Sequence, residues 1–177
     1  MEVLQGRPTD ETGRLEKEIA VYELLDKLDI PFRRVDHVHA DTMEMCQEID
    51  QALGQDICKN LFLCNRQKTK FYLLLMPGDK PYKTKDLSAQ IGSSRLSFGG
   101  AEDMERLLNL TPGSVTVLGL MYDPDCQVTL LIDQDLYQQS AFGCHPCINT
   151  STVQFSTADF REKLLPALGH PVTLVQL

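Results

Sequence analysis

Apolar residues recur every three to four positions near the start of the chain. Over residues 17–28 this spacing predicts an amphipathic helix. A second helix is predicted over residues 41–54, because Asp41 or Thr42 can cap its start and Gly54 can end it. The same criteria predict further helical segments at 80–92 (after Pro81), 101–110, 134–139 and 157–169, the last with Thr157 as its cap.

Two nearly continuous apolar segments in the middle of the chain predict a β-hairpin. They lie near residues 60–65 and 70–76 and are separated by the polar sequence RQKT. Because neither segment alternates with polar residues, both faces of these strands are expected to be covered. Shorter strands are predicted at 31–37, 94–100, 111–120, 127–133, 147–156 and 171–177.

With the shortest segments set aside, about seven strands and five helices follow one another in irregular order. The β-rich middle of the chain does not alternate with helices, which excludes a doubly wound parallel sheet. We predict an α+β (mixed α/β) fold, in which a bent, partly closed mixed sheet has helices packed outside it. A length of 177 residues suits one domain, assigned to residues 17–177, and the polar residues 1–16 are expected to be flexible.

Charge is distributed unevenly along the chain. The net charge is -8, but the span from Lys59 to Arg95 carries +6 and the remainder −14. The acidic total argues against wholesale nucleic-acid binding, whereas the basic span suits a local contact with a polyanion. A solvated hairpin and helix with lysine-rich faces explains that span equally well. The longest apolar run is too short to cross a bilayer and the N-terminus lacks a signal-peptide core, so we expect a cytoplasmic protein.

The sequence AFGCHPCINT, residues 141–150, contains a Cys-His-Pro-Cys run. A thioredoxin-type dithiol opens a helix, but the β-branched residues after Cys147 favour a strand. A structural zinc site needs a second pair of ligands, and His37 with His39 is the only other close pair. We expect the six cysteines to be free thiols in a reducing compartment, and the redox and zinc hypotheses stay open beside this one.

The same segment and one lysine are candidates for substrate binding. Proline fixes its own φ and extends the residue before it, so Gly143 and Pro146 restrict the loop that presents His145, unless this is simply a packed histidine. Lys59 begins an apolar strand, where it can bind a phosphate or carboxylate or simply be exposed. The SFGG sequence before a predicted helix suits either an anion contact or a tight turn. The chain contains no nucleophile elbow and no phosphate loop of known spacing.

Four segments, in order, resemble the YbaK/prolyl-tRNA-synthetase-associated domain family. They are VDHVHADTMEM, CKNLFLCNRQKTKFYLLLMPGDK, LSFGGAEDMERLLNLTPGSVTVLGL and GCHPCINTSTVQFS. The resemblance runs from about Ile19 to Leu177 and is closest to the stand-alone, ProX-type alanyl-tRNA(Pro) deacylases. It implies a trans-editing hydrolase that deacylates mischarged tRNA, above all Ala-tRNA(Pro), by metal-free, substrate-assisted ester hydrolysis with no cofactor. The alternative is a catalytically weak accessory module that binds tRNA or a synthetase.

The resemblance also implies a set of site residues and partners. Lys59 would lie near the terminal adenosine and its phosphate, and His145 would form part of the aminoacyl pocket, as the two catalytic candidates. The implied substrate-binding residues are Asn60, Thr42, Gly99, Gly143 and Pro146. Met45 stands where the family's T-X-E-E motif has its second acid, so a role for that acid does not carry over. The implied partners are the acceptor end of mischarged tRNA(Pro) and prolyl-tRNA synthetase, with no membrane. The side chains expected to contact tRNA are Arg66, Lys68, Lys70, Lys80, Lys83 and Lys85.

Overall fold

The structure is a computed structural model that describes residues 1–177, with nine strands in two sheets. The strands are β1 (Leu4–Gln5), β2 (Arg33–Asp36), β3 (Lys59–Cys64), β4 (Phe71–Met76), β5 (Ser97–Phe98), β6 (Val128–Asp133), β7 (Ala141–Cys144), β8 (Ser151–Ser156) and β9 (Val172–Val175). The four-stranded sheet has the order β1-β2-β8-β7 and is antiparallel. The five-stranded sheet has the order β5-β3-β4-β6-β9, and β6 is parallel to both of its neighbours.

Six α-helical segments and two 3-10 helices connect these strands. They are α1 (Glu16–Lys27), α2 (Met43–Leu53), α3 (Thr84–Gln90), α4 (Ala101–Leu108), α5 (Thr157–Asp159) and α6 (Leu165–Leu168), with 3-10 helices at Val117–Tyr122 and Gln134–Gln138. A π-helical turn, Phe160–Leu164, joins α5 to α6. The predicted signals of α2 are confirmed: Thr42 Oγ1 accepts from Met45 N at 3.2 Å, and Gly54 ends the helix with a φ of 71°.

The buried residues form layers on both sides of each sheet. The main core of 31 residues combines side chains from both sheets, so it lies between them. On the other face of the five-stranded sheet, Leu74 and Met76 pack with Leu87 of α3. On the other face of the four-stranded sheet, Val35 packs with Ile49 of α2. Every residue of β4 is buried, which confirms that both faces of the hairpin's second strand are covered.

The mixed α/β class is confirmed, although the strands divide between two sheets. The predicted strand at 111–120 is wrong. Residues 111–114 form a turn with Gly113 at a φ of 90°, and the 3-10 helix Val117–Tyr122 follows. Thr116 Oγ1 accepts from Leu118 N at 3.3 Å and starts this helix. A short, fully buried apolar run has no periodicity that separates a strand from a helical turn, which explains the error.

Some boundaries also differ from expectation. The strand predicted over residues 147–156 begins only at Ser151, and β7 before it was not predicted. Ser156, and not Thr157, caps the last helix, because its Oγ accepts from Asp159 N at 3.0 Å.

None of the helices combines the length and the apolar character that crossing a membrane requires.

The N-terminal segment, predicted to be flexible, contacts the four-stranded sheet. Leu4 and Gln5 pair with Arg34 and Arg33 as strand β1. Arg14 then donates to Asp36 Oδ2 of β2 at 3.0 Å. The polar composition of this segment predicted flexibility, because the segment has little apolar surface to bury. Backbone pairing and an ion pair hold it instead, and neither gives an apolar pattern in the sequence.

Candidate functional site

A cavity of about 240 Å³ opens between the start of β3 and the end of β7. The two sheets therefore contribute one wall each. At the back, the thiol of Cys58 donates to the carbonyl oxygen of Gly143 at 3.4 Å and joins the walls. The lining combines small and apolar groups with one amide and one imidazole. The lining residues are Ile57, Cys58, Asn60, Gly113, Val115, Cys144 and His145.

His145 presents one nitrogen to the protein and leaves the other without a protein partner. Its Nδ1 lies 2.9 Å from the carbonyl oxygen of Ser151, and since a carbonyl only accepts, Nδ1 carries the proton. In the neutral ring Nε2 is then an acceptor. Burial lowers the pKa of His145, and the nearby His37 adds to this effect. The ring can therefore accept a hydrogen bond at neutral pH.

A buried hydroxyl connects His145 to a second histidine. Thr152 Oγ1 lies 2.9 Å from His37 Nε2 and 3.5 Å from His145 Nδ1. His37 Nδ1 lies 2.7 Å from the carbonyl oxygen of Val38, so it donates there and Nε2 accepts from Thr152. The two rings are 6.0 Å apart between centroids. Sequence reasoning missed Thr152, because only the pairing of β2 with β8 brings it beside His37.

Strand alternation places Lys59 and Asn60 on opposite faces of β3. Asn60 faces the cavity with Cys58, whereas Lys59 shares the α3 face with Leu61. Lys59 is half-buried, and its ammonium donates to the carbonyl oxygen of Lys80. An ammonium has three N–H donors, so two remain for a ligand. Asn60 therefore lies in the cavity wall, whereas Lys59 lies on the opposite face of β3 and outside the lining.

Asn60 is held in place on both sides of its amide. Its Oδ1 accepts from Val117 N at 3.0 Å, which connects β3 to the start of the 3-10 helix. Its Nδ2 lies 3.2 Å from Cys58 Sγ and 3.4 Å from the Cys58 carbonyl oxygen. Because the contact with the carbonyl oxygen is long and sulfur is a weak acceptor, an oxygen in the cavity can compete for an N–H of this amide.

The loop after β7 is held against the entrance to α2 by Asn149. This buried amide accepts from Ala40 N at 3.1 Å and donates to Asp41 Oδ1 at 3.2 Å. Pro146 is buried in the same loop. Gly143 lies on β7, where an added Cβ would be 3.7 Å from Ile57 Cγ1, an ordinary contact. Sequence reasoning did not single out Asn149, since its partners lie more than a hundred residues earlier in the chain.

Of the five expected substrate-binding residues only Asn60 lines the cavity, and the other four lie outside the lining, including Gly143 and Pro146 of the loop. Thr42 is exposed, and its hydroxyl caps α2. Gly99 donates its N–H to Phe62 O at 2.9 Å, and a Cβ there would lie 2.3 Å from the Phe62 ring. Packing against Phe62 therefore explains the glycine at this position.

The cysteines of the Cys-X-X-Cys run are core residues. All six cysteines are free thiols, as expected. Cys144 and Cys147 are buried, and burial raises the pKa of each thiol to about 12. Burial raises the pKa of the Cys58 thiol as well. A redox cysteine has the opposite property, a lowered pKa and a populated thiolate. Cys58 and Cys144 instead provide small apolar surface to the cavity.

The basic side chains fall into three groups. Arg66, Lys68 and Lys70 are exposed in the β3–β4 turn, at the opposite end of β3 from the cavity. Six strand residues separate the two ends, or about 20 Å. Lys83 and Lys85 are exposed around the start of α3. Lys80 differs, because its ammonium lies 2.8 Å from both of its acidic partners, which are Asp133 and Asp135.

Known proteins resemble this chain over most of its length. A family model described as Aminoacyl-tRNA editing domain matches residues 37–163. Prolyl-tRNA editing protein ProX of Acetoanaerobium sticklandii is 32% identical over 158 residues, which cover 89% of this chain and 96% of that protein. Prolyl-tRNA synthetase associated domain-containing protein 1 of Danio rerio is 28% identical over 162 residues, covering 90% and 86%. A solved structure, a proposed trans-editing enzyme for prolyl tRNA synthetase, shares the fold with a TM-score of 0.65 and 16% identity, and covers 92% of this chain and 98% of that one.

Proposed function

Because this chain belongs to the aminoacyl-tRNA editing domain family, we propose that it is a trans-editing hydrolase whose preferred substrate is Ala-tRNA(Pro). Residues 17–177 are proposed to act as its single domain, in the cytoplasm and on the product of prolyl-tRNA synthetase. A synthetase that accepts proline binds the smaller alanine with a discrimination of only about 1–3 kcal/mol. Removal of the wrong amino acid after transfer to tRNA corrects the remaining errors.

The observation that carries this proposal is the small cavity with apolar walls and one neutral imidazole. Its volume of about 240 Å³ lies below the roughly 300–1,000 Å³ of pockets for drug-sized ligands, as suits a small aminoacyl group. We propose that the alanyl methyl group contacts Ile57 and Val115. His145 Nε2 then accepts a hydrogen bond from the substrate's α-ammonium group, which is the donor that every aminoacyl ester carries.

We propose that the substrate's own ribose hydroxyl orients the attacking water, as the family resemblance implies. The water oxygen bonds to the ester carbon, the bond from that carbon to the ribose oxygen breaks, and the proton of the water passes to the ribose oxygen. Free alanine and uncharged tRNA result. An N–H of Asn60 exchanges its weak contact with Cys58 for the carbonyl oxygen and stabilises the negative charge that develops there. The two unused N–H groups of Lys59 bind the phosphate of the terminal adenosine.

We further propose that the acceptor stem contacts the exposed basic side chains, which are Arg66, Lys68, Lys70, Lys83 and Lys85. Each phosphate contact releases counterions, so binding should weaken as the salt concentration rises. Lys80 is left out of this set. Its charge is matched by two carboxylates, and its carbonyl oxygen supports Lys59.

The test is deacylation of Ala-tRNA(Pro) by the purified protein. We expect catalytic release of alanine, with Pro-tRNA(Pro) spared. Lys59→Ala should sharply lower kcat/KM with little loss of stability, because Lys59 is half-buried at a strand end. An ester that survives excess protein while the tRNA stays bound would instead identify an accessory tRNA-binding module. An unchanged kcat/KM in Lys59→Ala would reject the role of Lys59.

A further inference from the structure

Phe98 is the one exposed aromatic side chain in the protein. It is 66% exposed, whereas the other six phenylalanines are all buried. A single exposed apolar side chain is common in proteins, so what distinguishes Phe98 is its surroundings. No role for Phe98 follows from the cavity, because Phe98 is not among its lining residues.

Phe98 lies on the same face of the five-stranded sheet as Lys59. It pairs with Leu63 in the antiparallel β3–β5 ladder, and directly paired residues share a face. Lys59 and Leu63 are four positions apart on β3, so they also share a face, about 13 Å apart along the strand. Strand β5 contains only two residues, so the first half of β3 has no strand neighbour on that side. A chain can therefore reach Lys59 from Phe98 along an open edge.

A second aromatic ring lies beside Phe98, in a basic part of the sequence. The ring of Tyr82 is tilted by 59° to that of Phe98, with 6.1 Å between centroids. Lys83 follows Tyr82 directly, and the surrounding span from Lys59 to Arg95 carries a net charge of +6. The nearest acids along the chain are Glu102 and Asp103 in α4, and Asp103 is paired with Arg106. Aromatic surface between cations suits a ligand that combines flat rings with negative charge.

We propose that Phe98 and Tyr82 form a stacking platform for an unpaired nucleobase in the single-stranded 3′ end of tRNA. Only an unpaired base has a free face to stack on, which favours the single-stranded end over the duplex stem. Lys59 and Lys83 contact the phosphates on either side of the platform. The chain then continues toward the cavity in one direction and toward the basic β3–β4 turn in the other. This inference rests on the proposed function, because it identifies how the same substrate is held outside the cavity.

The absence of tryptophan from the chain permits a direct binding test. Phe98→Trp introduces the only indole of the chain at the platform. The matched control is Leu174→Trp, at a position 49% exposed on β9, the opposite edge of the same sheet. We expect a single-stranded RNA ending in CCA to quench the indole fluorescence of the Phe98→Trp variant and not that of the Leu174→Trp variant. A blunt duplex of the same length should quench neither variant. Equal quenching in both variants, or none in Phe98→Trp, would overturn the platform.

A kinetic test separates this inference from the proposed function. Phe98→Ala should lower kcat/KM for Ala-tRNA(Pro) about tenfold, mostly through KM, since one stacked base is lost. Hydrolysis of alanyl-adenosine, which is too short to reach Phe98, should not change, and Phe98→Tyr should retain activity on tRNA. If wild-type protein hydrolyses neither substrate, the proposed function fails, whereas the quenching test still applies. Wild-type kinetics in Phe98→Ala would contradict the platform, as would self-association that this substitution abolishes.

Discussion

Two histidines differ in whether both of their ring nitrogens have hydrogen-bond partners in the protein. At the corner where α6 leads into β9, His170 Nε2 lies 2.9 Å from Asp123 Oδ2 and Nδ1 lies 3.1 Å from the carbonyl oxygen of Leu168. Asp123 also accepts from two backbone N–H groups, at 3.0 and 2.8 Å. At the cavity, His145 has one nitrogen bound to the backbone and the other without a protein partner.

The difference separates a side chain that stabilises the fold from one available for chemistry. Burial is costly for a polar group unless its hydrogen bonds are made. His170 meets that requirement within the protein, so its contribution is to stability. His145 meets it only in part, because Nε2 has no protein partner beside the open cavity. We propose that the substrate supplies the missing hydrogen bond. Four substitutions or conditions test this contrast, beginning with the largest expected effect.

Asp123→Ala should cause the largest change, and it should be a change in stability. The substitution leaves His170 and two N–H groups without their acceptor, and breaking a buried pair in this way costs about 3–5 kcal/mol. Urea unfolding measures the loss. The folded fraction should deacylate Ala-tRNA(Pro) with wild-type kcat/KM. A stable variant with impaired catalysis would reverse the assignment of the two regions.

His145→Ala should show the opposite pattern. Loss of the acceptor in the cavity is expected to lower kcat/KM about 10²-fold, equivalent to about 2.7 kcal/mol of transition-state stabilisation. Unfolding should change by no more than about 1.5 kcal/mol, since one hydrogen bond to Ser151 is lost. The enlarged pocket should also change the relative rates for alanine, serine and proline esters. Unchanged ratios across such a panel would contradict its position in the pocket wall.

Thr152→Val should have a smaller, intermediate effect. Valine keeps the shape and removes the hydroxyl between His37 and His145, a loss of about 1 kcal/mol in hydrogen bonding. We expect kcat/KM to fall by roughly threefold to tenfold, in line with that energy. Nitrogen NMR shifts of His145 should report a weaker preference for the proton on Nδ1. Thr152→Ser retains the hydroxyl and should restore both properties, which a purely structural defect would not allow.

The pH dependence should be the smallest effect. Because burial lowers the pKa of His145, the ring stays neutral below the ordinary value of about 6.5. The kcat/KM should therefore decline only as the pH falls below that value, and His145→Gln should remove the decline. The unfolded chain binds this proton at a higher pH than the folded protein, so stability should also fall as the pH drops through about 6.5. A decline centred above pH 6.5 would contradict the neutral ring.

Elements with strong local signals could be predicted from the sequence. The amphipathic α1, the capped α2 and the apolar hairpin β3–β4 all form close to their expected bounds. The buried 3-10 helix Val117–Tyr122 could not be predicted, because a continuous apolar run has no period. Strand β7 carries only four residues, so its pattern is too short to detect.

The site divides in the same way. Gly143, His145 and Pro146 were singled out from the restricted loop and the family motif, and His145 does line the cavity. The structure also brings Asn60 to that wall, while Lys59 lies on the other face of β3. The sequence alone predicts that these neighbours point in opposite directions. Which direction leads to the cavity depends on how the sheets pack.

Short-range patterns in the sequence therefore determined the class of most elements, because caps, turns and periodicity act over a few neighbouring residues. Its ordered motifs determined the family. Tertiary structure decided which side chains meet. Asp123 reaches His170 across 47 positions, and Asn149 reaches Asp41 across 108. Such pairs depend on strand order and register, which no local pattern encodes. For the same reason, only the folded chain shows that His145 is left with an unpaired nitrogen at a cavity and His170 is not.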